Sequence, residues 1–452
     1  MISLYLSEVA TAVLGTLVGS DHKFIGVSTD TRSLSEGQLF VAIAGEHYDG
    51  HDMLEEAEEK GAIGVLVDRV VKGIEIPHIM VSDTRFALGS LARYWRKRFA
   101  VPVIGVTGSA GKTTVKNMLA VILKKLGPVL ATPANLNNEI GLPLTLLGLS
   151  PEIRSVVLEM GAAKQGDIDY LARIAEPTVG VITMCSPAHL TGFGTIDIIA
   201  KTKGELISAL PKNGTAILNS DDSYFDYWRT LVGSRKLLTF GRSGDIFSKQ
   251  EDLSSDGSSF FLCSRDRARE VSLKYRGRHN IDNALAASAA ASTIGILKRD
   301  IAIALSDCPP TAGRLYPLRG KHRLHILDDT YNANPSALSA ALEVLRIQSG
   351  HKWVVIGDMN ELGELSKKFH YQAGKKMGEV GVDRLFTIGE KAEEVGKLFP
   401  GPVEHFADSE LLVRRLIQIS VKSEEDICLL VKGSRSMMLE NVVDALSVSG
   451  GK

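Results

Sequence analysis

Residues 103–114 read VIGVTGSAGKTT: an apolar run stops at a glycine-rich turn and continues into a lysine, two threonines and a helix-like segment. A strand that turns directly into a helix and then meets further apolar strands makes a parallel sheet, because the helix carries the chain back across it. The turn also limits the chemistry. Backbone N–H groups in such a loop point inward and cradle phosphates. Lys112 would reach the terminal phosphates, and the Thr113 hydroxyl would hold Mg²⁺. The usual nucleotide loop has glycine six places before the lysine, where this chain has Val106. The tighter form, Thr107, Gly108, Ser109, Ala110, Gly111, Lys112, Thr113, Thr114, points to one branch of ATP-using enzymes.

A chain of 452 residues is too long for one core and implies two to four domains. With 52 Lys+Arg against 53 Asp+Glu, nothing advertises a nucleic-acid partner. No apolar run is long enough to span a bilayer. The start, MISLYLSEVATAVLG, lacks the basic residues and cleavage site of an export signal. Cys185, Cys263, Cys308 and Cys428 are far apart and form no CxxC, which suits a reducing compartment. The expectation is a cytoplasmic protein, monomeric, with no membrane span.

Three patterns follow one another. Up to residue 82, short apolar runs (FIGVSTDTR, GQLFVAIAG, GAIGVLVD, HIMVS) alternate with turns around one helical segment, DMLEEAEEKG, as in a small α/β domain. Residues 83–313 form a central unit. Its amphipathic lead-in, residues 84–99, precedes VPVIGV, SVVLEMG and TVGVITM, whose continuous apolar character suits strands buried on both faces of a parallel sheet. Within it, residues 243–269 are polar and read as a hairpin or insert, and IDNALAASAAASTIGIL reads as a closely packed helix. From residue 314 to 452, the strands RLHILDD, KWVVIGDM, RLFTIG and DICLLVKG alternate with helices. That pattern predicts a Rossmann-like, doubly wound domain.

Ligands of open parallel sheets sit beyond the carboxyl ends of the strands. Glu159 ends SVVLEMG and could bind Mg²⁺ through a carboxylate oxygen. His189 follows TVGVITM in the phrase SPAHLTGFG. Lys201 and Lys203 lie in IIAKTKGEL, where helix lysines are ordinarily solvated. Asn280 and Asn283 could read a base edge, since amides both donate and accept, or Asn280 could cap the helix. Arg314 stands at the second boundary, where an arginine could reach phosphate from a moving domain. Three further strand ends are crowded with polar groups: DDTYNANPSAL with Asp328, Asp329, Tyr331, Asn332 and Asn334; GDMNELGE with Asp358 and Asn360; and VKGSRSMMLE with Lys432, Ser434 and Arg435.

Together these phrases resemble the Mur ligases, ATP-dependent amide-forming enzymes of bacterial cell-wall precursor synthesis. The resemblance runs through TGSAGKTT, LEMG, the AHL phrase, HNIDNALAA and the GR boundary, over nearly the whole chain. It implies three domains: residues 1–82 binding a UDP-sugar, residues 83–313 binding ATP, and residues 314–452 binding the incoming amine and closing on ATP. It implies that Lys112, His189 and Lys201 serve catalysis. Thr113, Glu159, His189 and Lys201, the last as a carbamate, would hold Mg²⁺, with Lys203 second to Lys201. Asn280 and Asn283 fall on the adenine-binding phrase, and Arg314 on an arginine that contacts ATP. STDTR (Ser28, Thr29, Asp30, Arg32), GEHYDGHD (Asp49) and TPANLNNEIGLPLTLL (Asn135, Asn138) resemble segments that bind the muramoyl substrate. The three polar strand ends resemble those of members taking UDP-N-acetylmuramoyl-tripeptide and D-alanyl-D-alanine. The implied reaction proceeds through an acyl phosphate. The alternatives are a ligase adding the third amino acid, a folylpolyglutamate synthase, or a nucleotide-binding switch without catalysis.

Overall fold

In the computed structural model, which describes residues 1–45, 47–70, 73–264 and 267–448, the apolar runs assemble into three open sheets. Glu46, inside the phrase GEHYDGHD, lies outside the described residues, as do residues 265 and 266 of the polar stretch 243–269.

The first sheet is ordered Thr16–Val18, His78–Met80, Gly64–Val67, Leu39–Val41, Val27–Ser28. Only Thr16–Val18 runs antiparallel to its neighbour. A short antiparallel pair, Ser3–Tyr5 with Lys23–Ile25, sits beside it.

The central sheet is wholly parallel, in the order Lys236–Phe240, Thr215–Asn219, Val179–Ile182, Val103–Thr107, Ser155–Glu159, Val129–Ala131. Successive strand side chains point to opposite faces, and here both faces are buried. Ile104, Val106 and Val157 face a core formed with Val115, Met118 and Leu119 of the helix Lys112–Leu123 and with the alanines of the helix Arg278–Thr293. The small side chains of that second helix let it lie close against the first. Val103, Val156 and Leu158 face the other way.

That second face has a structural consequence. Its core continues through Leu88, Leu91 and Ala92 of the helix Thr84–Arg96 into Leu4, Leu6, Val41 and Ile79 of the first sheet region. The Ile2 amide donates to Leu147 O at 2.9 Å across the same junction. The first two regions therefore share one apolar core. The polar stretch forms a three-stranded antiparallel sheet, Phe247–Leu253, Ser258–Ser264 and Arg267–Leu273, one strand more than a hairpin. Phe260, Leu262, Val271 and Leu273 anchor it on the central core.

The third sheet is ordered Tyr316–Arg319, Leu324–Asp329, Ile427–Lys432, His351–Gly357, Arg384–Ile388, Val403–Phe406. It is parallel except at its first edge. Helices on its two faces close two separate cores. Its contacts with the central region include a polar one, Ser186 Oγ to Ser336 Oγ at 2.9 Å.

Leu88 is fully buried in the shared core. Leu88→Ala should cost about 2–5 kcal/mol. In urea, the first two regions should still unfold in one transition moved to lower denaturant. Two separated transitions would show that the junction is not a single unit.

Candidate active site

The loop at residues 108–111 is held by its neighbour strand. Gly108 has φ +149°, and a Cβ there would lie 1.9 Å from Thr183 Oγ1. That hydroxyl donates to Ala110 O at 2.6 Å, and the Ser109 amide donates to Met184 O at 2.9 Å. Gly111, at φ +82°, would place a Cβ 2.3 Å from Asn283 Oδ1. Only glycine satisfies both the backbone angle and the approach. Loop amides and the start of the helix Lys112–Leu123 therefore face one cleft of about 1220 Å³.

Ser109, Ala110, Gly111, Lys112 and Thr113 line this cleft. Lys112 Nζ donates to Gly108 O at 2.8 Å. Burial pushes its ammonium below the usual lysine range, against the pull of Glu159. Thr107, Gly108 and Thr114 are part of the frame: Thr107 Oγ1 donates to Met160 O at 2.9 Å, and Thr114 is buried.

Glu159, 2% exposed, sits at the strand end facing the loop. Its Oε1 accepts from Asn137 Nδ2 at 2.8 Å, while its Oε2 is buried without a hydrogen-bond partner. Arg314, from the third region, reaches the same place. Its guanidinium lies 4.0 Å over the Tyr331 ring and donates to Thr113 Oγ1 at 3.1 Å, and its Nε is buried without a partner. Buried polar atoms are nearly always paired. An orphan carboxylate oxygen and an orphan guanidinium donor from residues of one cleft suit a cation carried on an anion, the chemistry of Mg²⁺ with phosphate. The described residues contain no group of three or more His, Cys, Asp or Glu able to hold a metal alone. The oxygen donors that Glu159 and Thr113 bring to the cleft fit Mg²⁺, which keeps waters and takes phosphate oxygens alongside one or two protein ligands. Behind Glu159, Lys116 Nζ donates to Thr132 O at 2.8 Å, and Thr132 Oγ1 accepts from the Glu159 amide at 2.9 Å.

The lysine assignment changes. Lys201 is exposed and borders a second, shallower depression with Asp169, Glu205 and Tyr227. Lys203 is 2% exposed and faces the cleft with Lys112, Glu159 and His189. Burial, with Lys112 nearby, pushes its pKa down to about 7. The reason lies in helical phase. In the helix Ile196–Ala209 the buried residues are Ile199, Ala200, Thr202, Lys203, Gly204, Leu206 and Ile207, and residue 201 falls on the opposite face. This periodicity was a usable signal for Lys203.

His189, at φ +53°, also faces the cleft, and its Nδ1 pairs with the carboxylate of Glu361 from the third region. Burial lowers its pKa, and Glu361 opposes this. Asn280 and Asn283 are buried behind the loop. Asn280 Nδ2 donates to Arg276 O at 2.8 Å, and Asn283 Nδ2 donates to Asn280 Oδ1 at 3.0 Å. Asn283 sits against Gly111, and neither asparagine lines the cleft.

The other candidates divide in the same way. Asn138 lines the cleft and caps the next helix, accepting from the Gly141 amide at 2.9 Å. Asn135 is exposed and outside the cleft, and Asn137, which sequence reasoning passed over, takes the inward position. Tyr331, Asn332, Asn334, Ser434 and Arg435 line the far wall. Asp329 and Lys432 do not: they form a buried ion pair, and Lys432 also donates to Asn332 O at 2.9 Å. Sequence alone gave no sign of this pairing, since their strands pair in space but lie about a hundred residues apart. In the first region, Ser28, Thr29, Asp30, Arg32 and Asp49 lie away from the cleft. Asp30 accepts from the Arg32 amide at 2.9 Å and pairs with its guanidinium at 2.7 Å, while Asp49 pairs with His51 at 2.7 Å and with Arg69. Asp83, Arg85 and Phe86, also missed, line the cleft on that side.

Family models match in three consecutive blocks: Mur ligase family, catalytic domain, over residues 23–96; Mur ligase middle domain, over 106–291; and Mur ligase, glutamate ligase domain, over 313–435. The chain belongs to the Mur ligase family. The UDP-N-acetylmuramoyl-tripeptide–D-alanyl-D-alanine ligase of Escherichia coli (strain K12) is 40% identical over 453 residues, covering 100% of both chains. Among solved structures, MurF from Acinetobacter baumannii matches with a TM-score of 0.94 at 33% identity, covering 98% of each chain. MurF ligase from Thermotoga maritima in complex with ADP matches with a TM-score of 0.83 at 31% identity, covering 93% of this chain and 96% of that one.

Removing one member of a buried ion pair strands its partner. Lys432→Ala should destabilise the third region by about 3–5 kcal/mol, read by urea unfolding. A loss below about 1 kcal/mol would return Lys432 to a direct role in binding.

Proposed function

We propose that this chain is an ATP-dependent ligase that joins D-alanyl-D-alanine to UDP-N-acetylmuramoyl-tripeptide, releasing ADP and phosphate, in peptidoglycan precursor synthesis. One observation carries the reading. A single cleft sets the phosphate loop, the orphan oxygen of Glu159, His189 and Lys203 opposite a polar wall of Tyr331, Asn332, Asn334, Ser434 and Arg435. The match to relatives of that activity over the whole chain supports it.

A carboxylate does not react with an amine, so the tripeptide's terminal carboxylate must first be phosphorylated by ATP. The acyl phosphate then takes the amine, and the tetrahedral adduct collapses to an amide with loss of phosphate. The chain's task is to position and stabilise. Loop amides and Lys112 bind the β- and γ-phosphates. Lys112, already short of water, offsets charge on the moving phosphoryl group. Arg314 brings the third region against those phosphates and keeps water from the acyl phosphate. Mg²⁺, when bound, would neutralise phosphate charge, held by Glu159 and Thr113. The first region holds the UDP end through residues 28–32 and Asp49.

Lys203 is the lysine suited to carbamylation. CO₂ adds only to a neutral amine, releasing a proton and leaving a carbamate whose two oxygens suit a hard cation. With its pKa near 7, a large fraction of Lys203 is neutral at neutral pH. Below about pH 6 the ammonium dominates and carbamate formation should fail. The four free cysteines fit a reducing compartment, and no helix among the described residues is long and apolar enough to cross a membrane. We place the enzyme in the cytoplasm as a monomer.

The defining assay is phosphate release that requires both the UDP-muramoyl tripeptide and D-alanyl-D-alanine, with the ligated product seen by mass spectrometry. Release that ignores either substrate would leave only a nucleotide-binding switch. Lys112→Ala should lose at least about a hundredfold in turnover with its fold intact, and near-normal turnover would remove the loop lysine from the chemistry. Lys203→Ala should be nearly inactive, with partial rescue by a small carboxylic acid, while Lys201→Ala should turn over normally. The reverse outcome would restore Lys201.

A further inference from the structure

The third region contributes one carboxylate to the lining of the cleft among the described residues, that of Glu361. It contributes two guanidiniums, Arg314 and Arg435. Arg314 is committed to the phosphate side, stacked on Tyr331 and bonded to Thr113. Glu361 and Arg435 thus remain as one negative and one positive group on the wall that faces the incoming dipeptide.

Their loops are tied together. Asn360, next to Glu361, donates its amide to Ser434 Oγ at 2.7 Å and its Nδ2 to Ser436 Oγ at 3.0 Å. Ser434 and Ser436 flank Arg435 on either side. Lys391 Nζ holds Asn360 Oδ1 at 2.7 Å, which fixes that amide. Glu361 and Arg435 therefore stand on adjacent backbones that both line the cleft, and the ligand that would join them, a dipeptide, spans at most about 7 Å when extended. Glu440 holds the Arg435 guanidinium at 2.8 Å, and a guanidinium has further donors for a second anion.

The backbone at Glu361 is unusual. It has φ +62°, in the left-handed region that non-glycine residues avoid. The Thr191 amide donates to Glu361 O at 3.2 Å and helps to hold it there. Held in this way, the carboxylate points across the domain boundary to His189, at the phosphate-loop end of the cleft. Unusual conformations kept by specific contacts concentrate where a side chain must be aimed.

We infer that Glu361 and Arg435 are the two poles that receive the zwitterionic dipeptide, Glu361 taking the ammonium and Arg435 the carboxylate. The inference rests on the ligase reading above and deepens it. It gives the dipeptide a direction. The negative pole lies beside His189, so the amine end is delivered towards the activated carbonyl and the carboxylate end is kept away. A dipeptide bound the other way would set like charges together at both ends. The pair acts as a specificity filter for a free amine and a free carboxylate held one dipeptide apart.

The test is binding to the full chain saturated with a non-hydrolysable ATP analogue and UDP-N-acetylmuramoyl-tripeptide. Three ligands are titrated calorimetrically: D-alanyl-D-alanine, D-lactoyl-D-alanine (a hydroxyl in place of the amine) and D-alanyl-D-alaninamide. Wild type should bind both analogues at least about tenfold more weakly than the dipeptide. Glu361→Gln should lose its preference over the lactoyl analogue and keep its preference over the amide. Arg435→Gln should do the converse. The KM for ATP should stay unchanged in both variants, which reports an intact fold. A merely structural role would weaken all three ligands alike, and that result, or preferences retained in both variants, overturns the inference. The ligase reading is checked apart from it. If wild type forms no product from D-alanyl-D-alanine, that reading fails and the inference with it; if wild type ligates but the crossed pattern is absent, the inference alone fails.

Discussion

The phosphate loop keeps its shape because the next strand clamps it. Thr183 Oγ1 occupies the space a Cβ on residue 108 would need, and it bonds the carbonyl two residues further on. The Ser109 amide is bound to Met184. Lys112, Thr113, Glu159 and Arg314 all take their positions relative to this clamp. A loop free to breathe would solvate Lys112 and restore its ordinary pKa, and the preorganised positive field would be lost. The parallel register of Val179–Ile182 against Val103–Thr107 is thus as much a part of the site as the lysine itself.

The electrostatics follow from shortage. Lys112, Lys203 and Arg314 line a cleft in which the buried carboxylate Glu159 has only one of its oxygens bonded. Burial destabilises both lysine ammoniums. Such an arrangement is poor as a resting structure and good as a receptacle, because a triphosphate with a counterion would supply both missing partners at once. For Lys203 the same burial has a second effect: an amine near neutrality reacts with CO₂, whereas a solvated lysine is almost wholly protonated.

Features set by local order were readable in the sequence. Apolar runs, glycine turns and polar strand ends each announce themselves within a dozen residues, and the loop, Glu159, His189 and the polar far wall were found from them. What depends on tertiary contact was not. Choosing between Lys201 and Lys203 required knowing which helix face is buried, although the stripe through Ile199 and Leu206 held the answer. Three asparagines in LNN and its neighbours offer no local clue to which one turns inward, and Asn137 took the place given to Asn135. Asp329 and Lys432 looked like ligand groups because nothing in either phrase shows the other. Glu361 was passed over because its partner, His189, lies 172 residues away on another sheet.

The apolar core that runs unbroken from the first sheet into the central one joins these two regions by side-chain packing. While that packing holds, the separation between the surface at residues 28–32 and the phosphate loop is set by the fold and not by the molecule bound between them. If the UDP end is held at one extreme and the reacting carboxylate must arrive at the other, the body works as a gauge. A peptide stem one residue short would stop before the phosphates, and one too long would overshoot them. The acceptor is then selected by its reach as well as by its side chains, at no cost in dedicated contacts. The third region stands apart from this junction: its two cores contain no residue of the first two regions, and it meets the centre through polar contacts such as Ser186 with Ser336.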